Sequence, residues 1–332
     1  MKKNLILFLT VICFFFEKNI SAQGLIFNKD AFDKGIQMEM PRGPLPTRYS
    51  LKAYAPYTYM QTGATCVAQS FAFARTILAA RQLRIRSRDT ITNYLSFSPY
   101  FIYYRNKKSE DSDCSLGLDI ESTVTDVLNN GFAPLAEVEC PDYYPCSNYN
   151  LCVSTNGNFP PPNYYKAVKA ALKYKIDAAY RIRNVDQLKA ALSSKMPVII
   201  CMVVPESFET FTGSVWTTSS TDVGNKTMGH AMLAVSYDDE KYGGAIEVLN
   251  SWGKQWGNDG SAWIKYSDCL KWFSGAYAFF LDNSSVSMNN NSVADESFAM
   301  SADSSATKVA GTMKKDSVLK AEAIYLQLFK NK

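Results

Sequence analysis

The second half of the chain breaks into five short strand-like runs, at 198–204, 231–237, 246–249, 262–266 and 276–281, parted by Gly, Asn, Asp and Ser. The first half is helical in pattern instead. From Thr65, placed to act as an N-cap, Val67, Phe71, Ala74 and Leu78 fall on one face, with Arg75, Arg81 and Gln82 elsewhere. A second helix is expected over about 119–128, stopped by Asn129-Asn130-Gly131, and a third within 163–175. Helices followed by strands, rather than the two alternating, imply an α+β protein of two lobes, with function in the cleft between them.

A chain of 332 residues, 47% hydrophobic and 13% aromatic, can bury a full core. Its net charge of +4 comes from dispersed residues with no basic run, so neither nucleic acid nor an anionic membrane is an expected partner. Residues 1–22 read as a cleaved secretory signal: Lys2 and Lys3, an apolar run over 5–16, then Ser21-Ala22 before Gln23. That run falls short of the roughly 20 residues a membrane-spanning helix needs. A secreted or periplasmic protein with no transmembrane segment is expected.

Of the eight cysteines, Cys13 leaves with the signal, and the odd number that remains leaves one unpaired. Cys114, Cys140, Cys146 and Cys152 crowd into a stretch rich in Pro, Tyr and Asn, where two bridges are possible in any of three connectivities. No Cys-x-x-Cys pair and no histidine accompany them, so neither zinc nor any other metal or cofactor is expected. Residues 23–43 form a lead-in that Pro41, together with Pro44 and Pro46 just beyond it, makes extended. The main domain spans 44–282. A Ser/Asn-rich linker follows over 283–312, then a tail over 313–332 whose Ala321, Ile324, Tyr325, Leu328 and Phe329 recur at helical spacing, fit to dock on the same chain.

Nucleophilic chemistry points to three residues. A thiol attacks as thiolate, which a helix N-terminus or a nearby cation favours. Cys66 sits at the first turn of its helix behind Gln61-Thr62-Gly63-Ala64-Thr65, where Gly63 permits a tight turn. His230, the one histidine of the chain, begins a strand and is the only imidazole able to act as a base. Asn250 ends the next strand in Val248-Leu249-Asn250-Ser251-Trp252-Gly253, where a neighbouring strand would let it orient the imidazole.

Residues 229–266 resemble the histidine and asparagine region of the papain-like cysteine proteases, through Asn250-Ser251-Trp252-Gly253, Trp256-Gly257, Gly260 and Trp263. Cys66 through Ala72 resembles that family's nucleophile helix, and the order Cys, His, Asn agrees. The likeness runs over about 44–282. It implies a papain-like two-lobed fold, a helical N-terminal lobe against an antiparallel β-barrel-like C-terminal lobe. It also implies a cysteine peptidase acting on peptide or protein substrates, with Cys66 as nucleophile, His230 as general base and acid, and Asn250 orienting His230; a monomer is expected, though no residue pattern speaks to oligomeric state. Trp252 would shield the His-Asn hydrogen bond, and Gln61 with the Cys66 amide would form the oxyanion hole. Gly117, in Cys114-Ser115-Leu116-Gly117, loosely resembles the glycine-rich edge that holds substrate backbone.

Three departures stand out. Gln61 precedes Cys66 by five residues where the family has six, with Met60 at the expected place, and Val67 replaces the usual tryptophan. The lead-in is far shorter than the family's inhibitory propeptide, so any latency is expected from elsewhere, such as the tail. A cell-wall peptide amidase and an inactive papain-fold binding protein are the alternative readings.

Overall fold

The computed structural model describes residues 24–138, 164–222 and 227–282. The stretches expected to be a signal, a linker and a tail, together with Cys140, Cys146 and Cys152, lie outside the described residues.

The chain opens with strand β1 (Leu25–Ile26) and helix α1 (Lys29–Lys34), then strand β2 (Arg48–Ser50). Helix α2 (Cys66–Gln82), helix α3 (Pro99–Asn106), strand β3 (Leu118–Asp119) and helix α4 (Ile120–Asn130) make up the helical side. The strand side holds β4 (Ala178–Ile182), β5 (Val198–Pro205), β6 (Val215–Trp216), β7 (Thr227–Asp238), β8 (Ala245–Leu249), β9 (Ser261–Lys265) and β10 (Phe273–Phe280). Eight strands form one sheet in the order β4-β10-β5-β7-β8-β9-β6, with β2 on β7. Its pairings are antiparallel except β6 with β9. All five expected strands are present.

Local chemistry accounts for most ends. Asp119 caps α4 by accepting from Ser122 N at 2.8 Å, and Gly131 closes it at φ 75°, a conformation that suits glycine. The third expected helix runs over Tyr164–Ala171. Thr65 does not cap α2 as anticipated: its hydroxyl donates backwards to Thr62 O at 3.1 Å, so the first N–H groups of α2 stay uncapped by it.

Arg75 corrects the expected polar face of α2. It is buried, donates from Nε to Tyr174 O at 3.0 Å, and lies 4.6 Å over the Phe97 ring. The reason is that α2 is wrapped on all sides, by β7, α3 and β5 among others, so nearly every side chain of it faces protein. Burial lowers the Arg75 pKa to about 10, and the ring contact keeps the guanidinium tolerable there.

The core lies where α2 meets the sheet. Phe71 has no exposed surface and packs edge-on to Phe279 of β10 at 5.0 Å. Phe71→Ala is expected to cost about 3–5 kcal/mol of unfolding free energy, read from urea denaturation. A loss below about 1 kcal/mol would mean the site collapses without a cavity.

The lead-in is not merely extended. Asn28 caps α1 by accepting from Ala31 N at 3.1 Å, and Phe32 is buried against Phe27 and edge-on to Tyr277. Arg181 of β4 donates to the carbonyls of Phe32 and Asp33, Arg183 pairs with Asp33 at 2.7 Å, and Arg181 N donates to Ile36 O at 2.8 Å. These contacts pin the segment to the rim of the sheet.

Among the described cysteines, Cys66, Cys201 and Cys269 are free and buried, and Cys114 is disulfide-bonded. Three free thiols exceed the single one that the odd count required.

Candidate active site

Cys66 is the first residue of α2, fully buried. The loop before it turns at Gly63, φ 62°, where a Cβ would fall on the Cys114 carbonyl, and Ala64 N donates to that same carbonyl at 2.7 Å. The backbone N–H groups of Ala231, Val67 and Cys66 itself favour the thiolate. The missing Thr65 cap is therefore consistent with helix donors left for the sulfur. Burial outweighs them and pushes the thiol up to about 12.

His230 lies on β7, opposite Met202 of β5, and is also fully buried. Strands β7 and β8 pair with Leu233 opposite Leu249, and this register carries Asn250, just beyond β8, beside the imidazole. His230 Nε2 and Asn250 Oδ1 are 2.7 Å apart. Ser251 N also donates to Oδ1, at 2.8 Å, which identifies that amide atom as the oxygen. Nε2 therefore carries the proton, and Nδ1, buried and without a hydrogen-bond partner, is left as the basic nitrogen. Burial lowers the His230 pKa to about 4, against the opposing effect of the Asn250 bond. Trp252 stacks on the imidazole, ring centres 4.2 Å apart and planes 23° from parallel.

Gln61 is nearly buried and held from three sides: its N–H donates to Ser251 O at 2.6 Å, its Oε1 accepts from Ser251 Oγ at 2.5 Å, and its Nε2 donates to Gly63 O at 2.8 Å. The structure thus ties Gln61 to the residue after Asn250. Gly117 immediately precedes β3. Its N–H donates to Tyr103 Oη at 3.1 Å, and the next residue, Leu118, presents the outward backbone donor.

Sequence reasoning missed the segment that fills the cleft. Leu118 N donates to Gly24 O at 3.0 Å, and β1 runs parallel to β3 with Leu25 opposite Leu118. A Cβ on Gly24 would stand 2.5 Å from Cys66 Sγ and 2.8 Å from Ala64 O; one on Gly229, next to His230, would stand 2.7 Å from Leu25 O. Residues 24–26 therefore lie directly on the thiol, between the helical side and the strand side. The readable signal was slight: a short apolar run, Leu25-Ile26-Phe27, in a stretch without periodicity.

Residues 59–271 match the model of the papain family of cysteine proteases. This chain belongs to the papain family. It is 24% identical over 218 residues to cysteine proteinase 3 of Solanum lycopersicum, a match covering 65% of this chain and 51% of that protein. The chain thus spans about half the length of that curated relative. Its fold is similar to xylellain, a cysteine protease from Xylella fastidiosa, at TM-score 0.60 and 21% identity over 79% of this chain and 97% of that one. It is also similar to procathepsin B S9 from Trypanosoma congolense, at TM-score 0.57 and 14% identity over 79% and 87%. These papain-family members share the two-sided α+β arrangement. Among the described residues no group of His, Cys, Asp and Glu is arranged to hold a metal, and no helix is long and apolar enough to cross a membrane.

Proposed function

We propose that the chain is a secreted or periplasmic cysteine peptidase with Cys66 as nucleophile, His230 as general base and acid, and Asn250 as the residue that orients His230. The observation that carries this reading is the 2.7 Å bond between His230 Nε2 and Asn250 Oδ1, which commits one ring nitrogen and leaves Nδ1 free for the thiol proton. The leader at 1–22 supports export.

In the closed arrangement thiol and imidazole are both neutral, since burial raises one pKa and lowers the other. Once substrate and water replace residues 24–26, the Cys66 proton passes to Nδ1 and an ion pair forms. The thiolate attacks the peptide carbonyl carbon, making the C–S bond. The imidazolium then protonates the departing amine as the C–N bond breaks. Water gives a proton to Nδ1 and its oxygen attacks the thioester; the C–S bond breaks, freeing the carboxylic acid and restoring the enzyme. Trp252 keeps water from the His-Asn bond, which strengthens its hold on the tautomer.

The tetrahedral oxyanion calls for donors, and the Cys66 N–H and the second Nε2 hydrogen of Gln61 are those at hand. Gln61→Ala is expected to lower kcat by about 10²- to 10³-fold with little change in KM. An unchanged kcat would remove Gln61 from the oxyanion site. The reading as a whole is tested by profiling a peptide library and cell-wall peptides with the protein and its Cys66→Ala variant. Cleavage that survives the substitution, or is confined to cell-wall peptides, overturns it.

A further inference from the structure

The turn that leads into Cys66 is held by a carbonyl from another loop, and the residue that owns it is in an uncommon conformation. Cys114, fully buried, has φ 62°, in the left-handed region that a residue with a side chain seldom takes. Turned this way, its carbonyl accepts from Ala64 N at 2.7 Å and stands where a Cβ on Gly63 would have to go. Cys114 therefore fixes Gly63 and Ala64, and with them the entry of the chain into α2 at Cys66.

A buried pair, one member on α3, grips the loop on both sides of Cys114. Tyr103 donates from Oη to Asp111 Oδ2 at 2.6 Å, and the same oxygen accepts from Gly117 N at 3.1 Å. Asp111 in turn accepts at Oδ1 from Ser115 N at 3.0 Å. Both side chains are buried, and Asp111 forms none of the ion pairs among the described residues, so hydrogen bonds alone satisfy its carboxyl. Burial first, and then the Asp111 bond, push the Tyr103 phenol well above its ordinary value, so the hydroxyl keeps its proton for Asp111. Lys107 Nζ donates to the Asp111 carbonyl, and Asp113 Oδ1 accepts from Ser115 N at 3.2 Å, which strengthen the same grip. The disulfide ties the sulfur of Cys114; its backbone is held by these hydrogen bonds.

We propose that Tyr103 and Asp111 are positioning residues for the nucleophile: by gripping the loop on both sides of Cys114 they aim its carbonyl at the Gly63–Ala64 turn and so set where the Cys66 thiol and N–H stand. This rests on the peptidase reading above and adds to it two residues that act through Cys114. Displacing a reacting group by about 1 Å from a distance can cost about 10²-fold in rate. Since the aim of the thiol counts in the transition state more than in substrate binding, the loss should fall on kcat.

The test counts active sites before rates are measured. Wild type, Tyr103→Phe, Asp111→Asn and Leu192→Ala are each titrated to completion with an epoxide inhibitor that alkylates Cys66, and kcat and KM for peptide hydrolysis are expressed per titrated site. Phenylalanine keeps the ring and removes the hydroxyl that both Asp111 and Gly117 use; asparagine keeps the shape of Asp111 and an acceptor for Ser115 N. Leu192, buried in the helix over Val185–Ser193 that packs on β2, lies toward the end of β7 remote from His230 and serves as the core control. Tyr103→Phe is expected to lower kcat per site by about ten- to hundred-fold with KM changed by less than about three-fold, and Asp111→Asn to lower it by at least about three-fold. Leu192→Ala should unfold at lower urea and keep its per-site constants. Wild-type kcat per site in either folded variant overturns the proposal. Loss of all titratable sites in both overturns it equally, because the pair then only holds the fold. A wild type that is neither titrated nor active overturns the peptidase reading itself, which keeps the two failures distinct.

Discussion

Cys66→Ala is expected to abolish peptide hydrolysis, with kcat falling by about 10⁶-fold while the protein stays folded. The thiol forms the only covalent bond to substrate in the proposed reaction, so its loss removes the acyl-enzyme route entirely. Alanine is smaller than cysteine at a buried position, yet the site needs no charge there, and the pKa of about 12 shows that the closed fold holds the thiol neutral. Circular dichroism and urea midpoints should therefore change little while turnover vanishes. Hydrolysis within about ten-fold of wild type would remove Cys66 from the chemistry. Because nucleophile and base act as a unit, adding His230→Gln to Cys66→Ala should cost almost nothing further.

His230→Gln by itself is expected to reduce kcat by about 10⁵- to 10⁶-fold, since no second imidazole exists to take the thiol proton. The same substitution should change the pH dependence of stability. Burial lowers the His230 pKa from 6.5 to about 4, so below pH 6.5 the unfolded chain binds a proton that the folded chain refuses. Stability is therefore lost as pH falls from 6.5 towards about 4, by about 3 kcal/mol at the acid end. Glutamine carries no such penalty. Urea unfolding near neutral pH and near pH 4.5 should show the wild type losing more stability than the variant; parallel losses would mean that His230 is hydrated in the folded protein.

The catalytic candidates were legible because each is announced by its neighbours in the chain. Cys66 follows a glycine turn and opens a helix, His230 opens a strand, and Asn250 closes the next one; antiparallel pairing of consecutive strands is then enough to bring the last two to 2.7 Å. Trp252 shared that legibility, since it trails Asn250 by two residues and stacks on the ring. Arg75 and Thr65 were read less well, because helical periodicity assigns one buried face and cannot know that α2 is enclosed on several. The surroundings of Gly117 were not legible, because its N–H is taken by Tyr103 Oη from another helix and the donor to Gly24 O comes from Leu118.

The sequence by itself determined five of the eight strands of the main sheet, the order of helical and strand sides, and the candidates for nucleophile, base and orienting amide. These depend on period, capping and short motifs, which act over a few residues. Only the tertiary structure decided that residues 24–26 cover Cys66, that Gln61 is held by Ser251, and that the Cys114 carbonyl meets Ala64. Each of those is a contact between segments far apart in the chain, and burial, which sets the protonation of Cys66 and His230, exists only once the segments have come together.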